Sequence, residues 1–230
     1  MCLSAKLIVG VMLLTVASPV LAAPVNDPAL PNDIATYIER VRLDAKDPDA
    51  HRGPKNQAKS DLNQLIVYYN AAIRLDPNDD DAYFHRALAN FYAGSIAKAL
   101  ADLSQANKLD PQYAYYALWI DIIDKRGNLP SQFAQAISKI DMTKWPAPVI
   151  RLFLGETTPA AVLAAADDAD AKTRSGQLCE ANFYIGELSL QQGAKDEAER
   201  LFRLSATDCP REFVEGPSAT AELQALSGNR

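Results

Sequence analysis

The sequence contains few of the residues that build active sites and metal centres. Among its 230 residues only two are histidines, His51 and His85, and three are cysteines. Neither histidine has a second His or a Cys at the spacing of a metal site, and no phosphate-binding glycine pattern or serine-nucleophile motif occurs. We therefore predict no catalytic residue, no cofactor and no metal, and interpret the protein as a non-enzyme. A hydrolase with two converging carboxylates stays open as an alternative.

Positive charge is scarce as well. Lys and Arg number 23 against 29 Asp and Glu, which gives a formal net charge of −6. Because a nucleic-acid-binding protein needs a basic face for the phosphates, this composition argues against a nucleic-acid partner. The acidic run at residues 76–81 lacks the glycine and the glutamate that a calcium-binding loop needs at its sixth and twelfth positions. It is interpreted as a solvated turn that caps the following helix.

Long hydrophobic runs are limited to the start of the chain. Lys6 precedes an apolar run at residues 7–16 that is too short to span a bilayer, and small residues follow it. This order predicts a signal peptide over residues 1–22, cleaved after Ala22, with an uncleaved membrane anchor as the alternative. No cysteine lies at the cleavage site, so no lipid anchor is predicted. No other stretch is apolar enough to cross a membrane, so the mature chain is predicted to have no integral span.

The alternation of apolar and polar residues that marks a half-buried strand is absent over any useful length. The sequence therefore predicts an all-α chain. Residues 23–54 carry prolines near both ends and are predicted to form an N-terminal leader with one short helix at residues 34–43.

In place of these absent features the sequence has an internal repeat. Leu75-Asp76-Pro77 recurs as Leu109-Asp110-Pro111, and the two prolines lie 34 residues apart, the period of tetratricopeptide repeats (TPRs). With Pro111 at position 32, small residues fall where two antiparallel helices approach closely, and large ones fall where the gaps beside them must be filled. These are Tyr83 at position 4, Ala87 at 8, Gly94 at the turn, Ala99 at 20, Leu103 at 24 and Ala106 at 27.

Further segments extend the repeat toward both ends. The preceding unit keeps its second helix, but prolines preclude a regular first helix over residues 46–58. A third hairpin is predicted over residues 114–140 with its turn at Gly127-Asn128, and an irregular helical pair follows at residues 149–154 and 159–166. The last repeat covers residues 179–212, with Gly186 at position 8, Gly193 at the turn and Phe202 at position 24. A helix at residues 218–226 is predicted to close the array.

The predicted fold is an all-α TPR superhelix of helical hairpins, or α-solenoid, with a C-terminal capping helix. Residues 55–141 are assigned to the TPR repeats. Residues 142–230 are assigned to the irregular pair, the final hairpin and the capping helix. Arg86 and Asn90, at positions 7 and 11, depart from the apolar or aromatic residues usual there.

Two cysteines remain after signal cleavage, because Cys2 lies within the signal peptide. Cys179 and Cys209 occupy positions 1 and 31 of the last repeat, at the same open end of an antiparallel hairpin. An even pair in an exported chain favours a disulfide, with two unpaired thiols as the alternative.

The first helices of a TPR array line its concave face, and their outward positions here are more apolar than a solvated surface needs. We therefore predict a protein-binding groove for a peptide or a helix. Burial of the same side chains against the leader, or against a second subunit in a homodimer, is the alternative. The candidate groove residues are Phe84, Leu88, Phe91, Tyr92, Tyr115, Trp119, Phe183 and Glu187.

Residues 113–226 resemble one family more closely than they resemble generic repeats. The stretches that carry the resemblance are Tyr116-Ala117-Leu118-Trp119, Trp145-Pro146-Ala147-Pro148-Val149-Ile150, Glu180-Ala181-Asn182-Phe183-Tyr184-Ile185-Gly186 and Phe213-Val214-Glu215. They are similar to those of the NlpI-type periplasmic repeat proteins of Gram-negative bacteria.

This resemblance implies an all-helical periplasmic adaptor or scaffold. Family members dock cell-wall hydrolases and a tail-specific protease, so such enzymes are the implied partners here. A structural or assembly accessory factor of an envelope complex is the alternative function. The chain departs from the family in two respects: it has no lipidated cysteine, and Gly216-Pro217 interrupts a segment that is continuous helix in the family pattern.

Overall fold

The computed structural model describes residues 54–228, with side chains from Leu62 onward. This range contains ten helices and no strand, which confirms the all-α prediction. The predicted signal peptide at residues 1–22 and leader helix at residues 34–43 lie outside the described residues. Within the described range, no helix combines the length and the apolar character that a bilayer span requires.

The helices are arranged mainly as antiparallel hairpins. Along the first half of the array each helix packs on its successor from α1 to α5, and α8, α9 and α10 pack in the same way. The described chain is therefore a TPR-like array, an α-solenoid. The helices are α1 (Pro54–Leu75), α2 (Asp80–Tyr92), α3 (Ile96–Leu109), α4 (Ala114–Arg126), α5 (Phe133–Ala136), α6 (Ala147–Phe153), α7 (Pro159–Ala165), α8 (Ala171–Gln191), α9 (Lys195–Asp208) and α10 (Glu215–Ser227).

The hairpin of α2 and α3 has the geometry that its repeat register predicts. Asp79 caps α2, and its carboxylate accepts a hydrogen bond from the backbone N–H of Ala82 at 2.8 Å. Gly94 makes the turn with a φ of +79°, a left-handed conformation that glycine adopts without steric cost. Between the two helices the interlocking small and large positions are fully buried: Ala87, Ala99, Leu103 and Ala106.

The last hairpin, formed by α8 and α9, brings its two helices together at Gly186. A Cβ on Gly186 would lie 2.8 Å from Cε1 of Phe202, so the ring already occupies the space that a larger residue would need. Phe202 is fully buried and lies against Phe183, with the ring centroids 5.9 Å apart. The Phe202 ring therefore cannot shift away from a side chain added at Gly186. Gly193 makes the turn with a φ of +79°. The predicted register of this repeat is confirmed.

Arg86 and Asn90, the two residues that depart from the repeat pattern, both donate hydrogen bonds to the carboxylate of Asp102. Arg86 donates from Nε and NH2 to Asp102 at 2.8 and 2.5 Å, and Asn90 donates to the same carboxylate at 3.3 Å. Arg86 also donates to the side-chain oxygen of Asn70 at 2.7 Å. This charge-assisted network joins α1, α2 and α3, so polar residues at positions 7 and 11 stabilise the hairpin where apolar packing is usual.

Some elements differ from their predicted bounds. The helix α1 runs unbroken from Pro54, because proline is tolerated in the first turn of a helix. The helix α8 begins at Ala171, ahead of the predicted repeat start at Cys179, because Asp170 caps it by accepting from the N–H of Thr173. These helices are therefore longer than the sequence register indicates.

The third hairpin is incomplete, because its second helix α5 has only four residues. Before it, the carboxylate of Asp124 accepts from the backbone N–H of Gln132 at 2.8 Å and holds the loop. After it, the carboxylate of Asp141 accepts from the N–H of Thr143 at 3.0 Å. Such local side-chain bonds compete with helical ones, so this segment forms turns in place of a full helix.

We expect Gly186→Ala to lower the free energy of unfolding by about 1–2 kcal/mol, because the added methyl group overpacks against Phe202. This loss is net of the higher helix propensity of alanine, which alone would stabilise α8. Denaturant unfolding of the mature chain measures the change. In a Phe202→Leu background the same substitution should cost less. Equal costs in the two backgrounds would contradict the interlock.

Candidate protein-binding site

The structure places the predicted cysteine pair in a disulfide. Cys179 in α8 and Cys209 after α9 are bonded, with their Cα atoms 4.9 Å apart. The bond fixes the start of the loop that leads from α9 to α10. Gly216 lies against it, since a Cβ on Gly216 would be 2.8 Å from Cβ of Cys209. Gly216-Pro217 therefore does not interrupt the final helix: α10 begins at Glu215 and includes both residues.

The structure brings three of the eight predicted groove residues, Phe91, Trp119 and Phe183, into one row of aromatic rings. The ring of Trp119 on α4 lies 6.1 Å from Phe91 on α2 and 5.5 Å from Phe183 on α8, measured between ring centroids. These are the first helices of their hairpins, as predicted for a concave face. Their exposure differs from the expectation. Tyr92 and Tyr115 are partly buried, and the other six are buried: Phe84, Leu88, Phe91, Trp119, Phe183 and Glu187.

The helix α10 explains much of this burial. It packs on both α8 and α9, and its Glu222 accepts from Arg126 of α4 at 2.9 Å. Its Glu215 accepts from the hydroxyl of Tyr184 on α8 at 2.9 Å. The predicted capping helix thus lies along the inner face, where a peptide was expected. Binding of a partner at the eight predicted residues stays a prediction, and one cavity lies near each end of α10.

A shared ion pair holds α10 in this position. Arg126 donates to Glu187 of α8 and to Glu222 of α10, each at 2.9 Å. Burial raises the pKa of Glu187 to about 8, and Glu222 beside it adds to the rise. The hydroxyls of Tyr92 and Ser218 lie nearby, and neither makes a hydrogen bond of ordinary geometry within the described residues. One cation therefore serves two buried carboxyl groups, and the raised pKa of Glu187 keeps that group largely protonated near neutral pH.

An open groove lies beside the C-terminal half of α10. It has a volume of about 720 Å³ and combines leucines with amide and basic side chains. Leu129 is 43% exposed at its rim. The mixture of apolar surface and a few polar groups is typical of a protein-docking groove. Its lining residues include Lys125, Leu129, Leu188, Leu190, Lys195 and Leu226.

A smaller pocket of about 300 Å³ lies near the N-terminal end of α10. Glu180 of α8 and Glu215 of α10 line it and are buried. Burial raises the pKa of Glu180 to about 7, and it raises the pKa of Glu215 to about 8, with Glu180 contributing to that second rise. The repeat register predicted Glu187 as a groove residue, but it gave no sign of Glu215, Glu222 or Arg126. Their roles depend on where α10 lies.

No protein-family model matches the chain. Among solved structures, the crystal structure of yeast Tom70 resembles it with a TM-score of 0.34 and 17% sequence identity, over 86% of this chain. The chain spans about half the length of the Tom70 chain, 47%. The TPR-like assignment rests on the hairpin geometry described above.

Replacing both cysteines, as Cys179→Ala/Cys209→Ala, should lower the free energy of unfolding by about 3–4 kcal/mol. The bond closes a loop with a sequence separation of 30, and the open chain gains that loop entropy on unfolding. Denaturant unfolding without reductant measures the loss, and fully reduced wild-type protein is the matched control. Two reactive thiols in denatured, non-reduced mature protein would contradict the bond.

The buried carboxylates should make the fold less stable as pH rises. Glu215 titrates near pH 8 when folded, against an ordinary value of 4.5. Between these values the folded state holds a proton that the unfolded state has lost. The stabilisation is complete below the lower value and is lost as pH rises through the higher one.

We therefore expect the melting temperature to fall between about pH 5 and pH 8, and Glu215→Gln to reduce that fall. The effect is at most about 1.4 kcal/mol per pH unit for one group. Thermal unfolding across this range is the measurement. Glu197→Gln is the control, because Glu197 is an exposed helix residue paired with Arg200 and should leave the pH slope unchanged. An identical slope for Glu215→Gln and wild type would count against the buried, protonated state.

Proposed function

We propose that the protein is a non-catalytic periplasmic adaptor or scaffold that binds envelope enzymes, such as cell-wall hydrolases or a tail-specific protease. The observation that carries the proposal is the open groove of about 720 Å³ beside α10, lined by leucines and basic side chains on an array of helical hairpins. A hairpin array with an apolar, partly charged groove can bind a partner segment without moving its own backbone.

The arrangement of the NlpI-like stretches supports this proposal. Trp145 donates from its indole nitrogen to Glu180, which belongs to another of those stretches. Tyr184 donates to Glu215, which belongs to a third. Residues far apart in sequence that carry the resemblance therefore contact one another in one packed unit. A similar adaptor role follows if the family's use of this unit is retained.

Two further features support export to the periplasm. The Cys179–Cys209 disulfide is of the kind that persists in oxidising compartments. The N-terminal apolar run has the order of a cleavable signal peptide, with the cut after Ala22. We propose that the mature chain begins at Ala23 and carries no lipid anchor.

In-cell crosslinking of the tagged mature protein, followed by mass spectrometry, tests this function. We expect envelope enzymes among the crosslinked proteins, and we expect Leu129→Asp to reduce their recovery at least about tenfold. The new carboxylate would have to be desolvated on docking. Leu204→Asp is the matched control, since Leu204 lies outside the groove and is 37% exposed against 43% for Leu129.

Unchanged recovery with Leu129→Asp, in protein that retains its helical content, would contradict docking at the groove. Crosslinks only between copies of this chain would favour a homodimer over an adaptor. The N-terminal sequence of the purified protein gives the cleavage site in the same experiment. An N-terminus other than Ala23 would contradict the proposed processing.

A further inference from the structure

The smaller pocket combines aromatic walls with an unusual density of negative charge. Its volume of about 300 Å³ matches a side chain or a small ligand better than a folded segment. The pocket lies where α2, α4, α8 and the loop before α10 meet. Its aromatic rings belong to Phe84, Tyr113, Tyr115 and Phe213, and its carboxylates to Asp81, Glu180, Glu212 and Glu215.

Two of these carboxylates are buried without a cation. Glu180 is 5% exposed and Glu215 is 3% exposed, and neither forms an ion pair within the described residues. Their hydrogen-bond donors are neutral: Tyr115 at 2.8 Å and Trp145 for Glu180, and Tyr184 at 2.9 Å for Glu215. A buried carboxylate without a countercharge is costly to ionise. A positive group placed in the pocket would favour the ionised form of both carboxyl groups.

Four carboxyl groups raise the pKa of one residue in the pocket, Tyr113. Burial raises the pKa of the Tyr113 hydroxyl, and the carboxylates of Glu215, Asp81, Glu180 and Asp80 raise it further. These residues come from α2, α8 and α10, so carboxyl groups surround Tyr113 on several sides. No lysine or arginine lines the pocket among the described residues. His85 also lines it, with its Nε2 turned toward Asp81 at 3.5 Å.

We propose that this pocket receives the side-chain cation of a lysine or arginine residue presented by a partner protein. Aromatic faces attract a cation through their quadrupoles, and carboxylates accept its N–H groups in charge-assisted hydrogen bonds. The inference rests on the proposed adaptor function and deepens it, because it assigns a chemical feature that the partner must carry. The groove beside the other end of α10 would bind the apolar part of the partner, and the pocket would bind its basic residue.

The disulfide fixes one wall of the pocket. Glu212 and Phe213 lie in the short loop that begins at Cys209 and ends at α10. The ring of Phe213 fits against Gly176 of α8, where an added Cβ would lie 2.9 Å from Cζ of the ring. The cation-binding rings and carboxylates are therefore held in place before a ligand arrives, which lowers the entropic cost of binding.

Titration of the mature chain with small lysine and norleucine analogues, monitored by NMR, tests the pocket. The probes are N-acetyl-lysine methylamide and N-acetyl-norleucine methylamide, which have the same straight four-carbon side chain and differ in the terminal group. We expect the lysine probe to bind at least about tenfold more tightly, with shifts at Tyr113 and Phe213. Glu180→Gln should weaken its binding at least about tenfold, and the exposed Glu197→Gln should leave it unchanged.

Glu180→Gln keeps an oxygen that accepts from Tyr115 and Trp145, so the fold should be retained, and its melting temperature checks this. If that variant unfolds, Asp81→Asn replaces it, because the Asp81 side chain is 73% exposed and its loss leaves the core intact. Either variant should weaken binding of the lysine probe. Binding that is unaffected in a folded variant would overturn the proposal.

Equal binding of the two probes, or no binding of the lysine probe, would also overturn it. Calcium ions are included as a competitor, and displacement of the lysine probe by calcium with higher affinity would assign the pocket to a metal ion and overturn the proposal. Failure of the pocket is distinguishable from failure of the adaptor function. In the first case, the crosslinks that depend on Leu129 would persist while the lysine probe fails to bind.

Discussion

The close approach of paired helices is the constraint on which the rest of the structure depends. At Gly186 the approach leaves no space for a side chain, because Phe202 fills it. The same interlock of small and large residues is present between α2 and α3, where Ala87, Ala99 and Leu103 are fully buried. Each hairpin therefore has one way to pack, and the stacking of hairpins defines the inner face. The position of α10 follows from that face.

The inner face is occupied by the chain itself, and this makes the array different from an open solenoid. The helix α10 is held there by its packing on α8 and α9, in which Ala219 is fully buried, and by polar contacts such as that of Glu222 with Arg126. Buried ion pairs of this kind specify a position more than they add stability, because desolvation offsets much of their attraction. A cavity lies near each end of this helix: the groove near Leu129 and the acidic pocket near Tyr113.

The local features of the fold could be predicted from the sequence, because they depend on residues within one repeat period. The turns at Gly94 and Gly193, the fully buried alanines and the Cys179–Cys209 bond all follow from the register of the repeat with Pro111 and of the last repeat at residues 179–212. Periodicity alone could not give the position of α10. Its contacts with α4 join residues 96 positions apart, and amphipathic spacing does not identify which distant face a helix will bury.

Periodicity alone also could not predict the burial of the groove residues or the short second helix of the third hairpin. Trp119 and Phe183 were predicted to line an accessible groove, but both are fully buried, because their rings pack against each other between hairpins. The shortening of α5 depends on hydrogen bonds that the carboxylates of Asp124 and Asp141 accept from the backbone N–H groups of Gln132 and Thr143. A helix-forming composition cannot reveal such competition, because it acts through single side chains at particular turns. Arg86 is similar, since its partner Asp102 lies on the neighbouring helix.

The inward position of α10 has a consequence for how the array unfolds. In an ordinary solenoid each repeat contacts only its neighbours, so the ends can fray while the middle stays folded. Here α10 contacts α8 and α9, and through Arg126 it also contacts α4. Loss of α10 would uncover buried side chains on several hairpins together. The last helix thus adds a contact between distant hairpins to the contacts between neighbours. The terminal hairpin therefore cannot open without exposing buried side chains in the middle of the array.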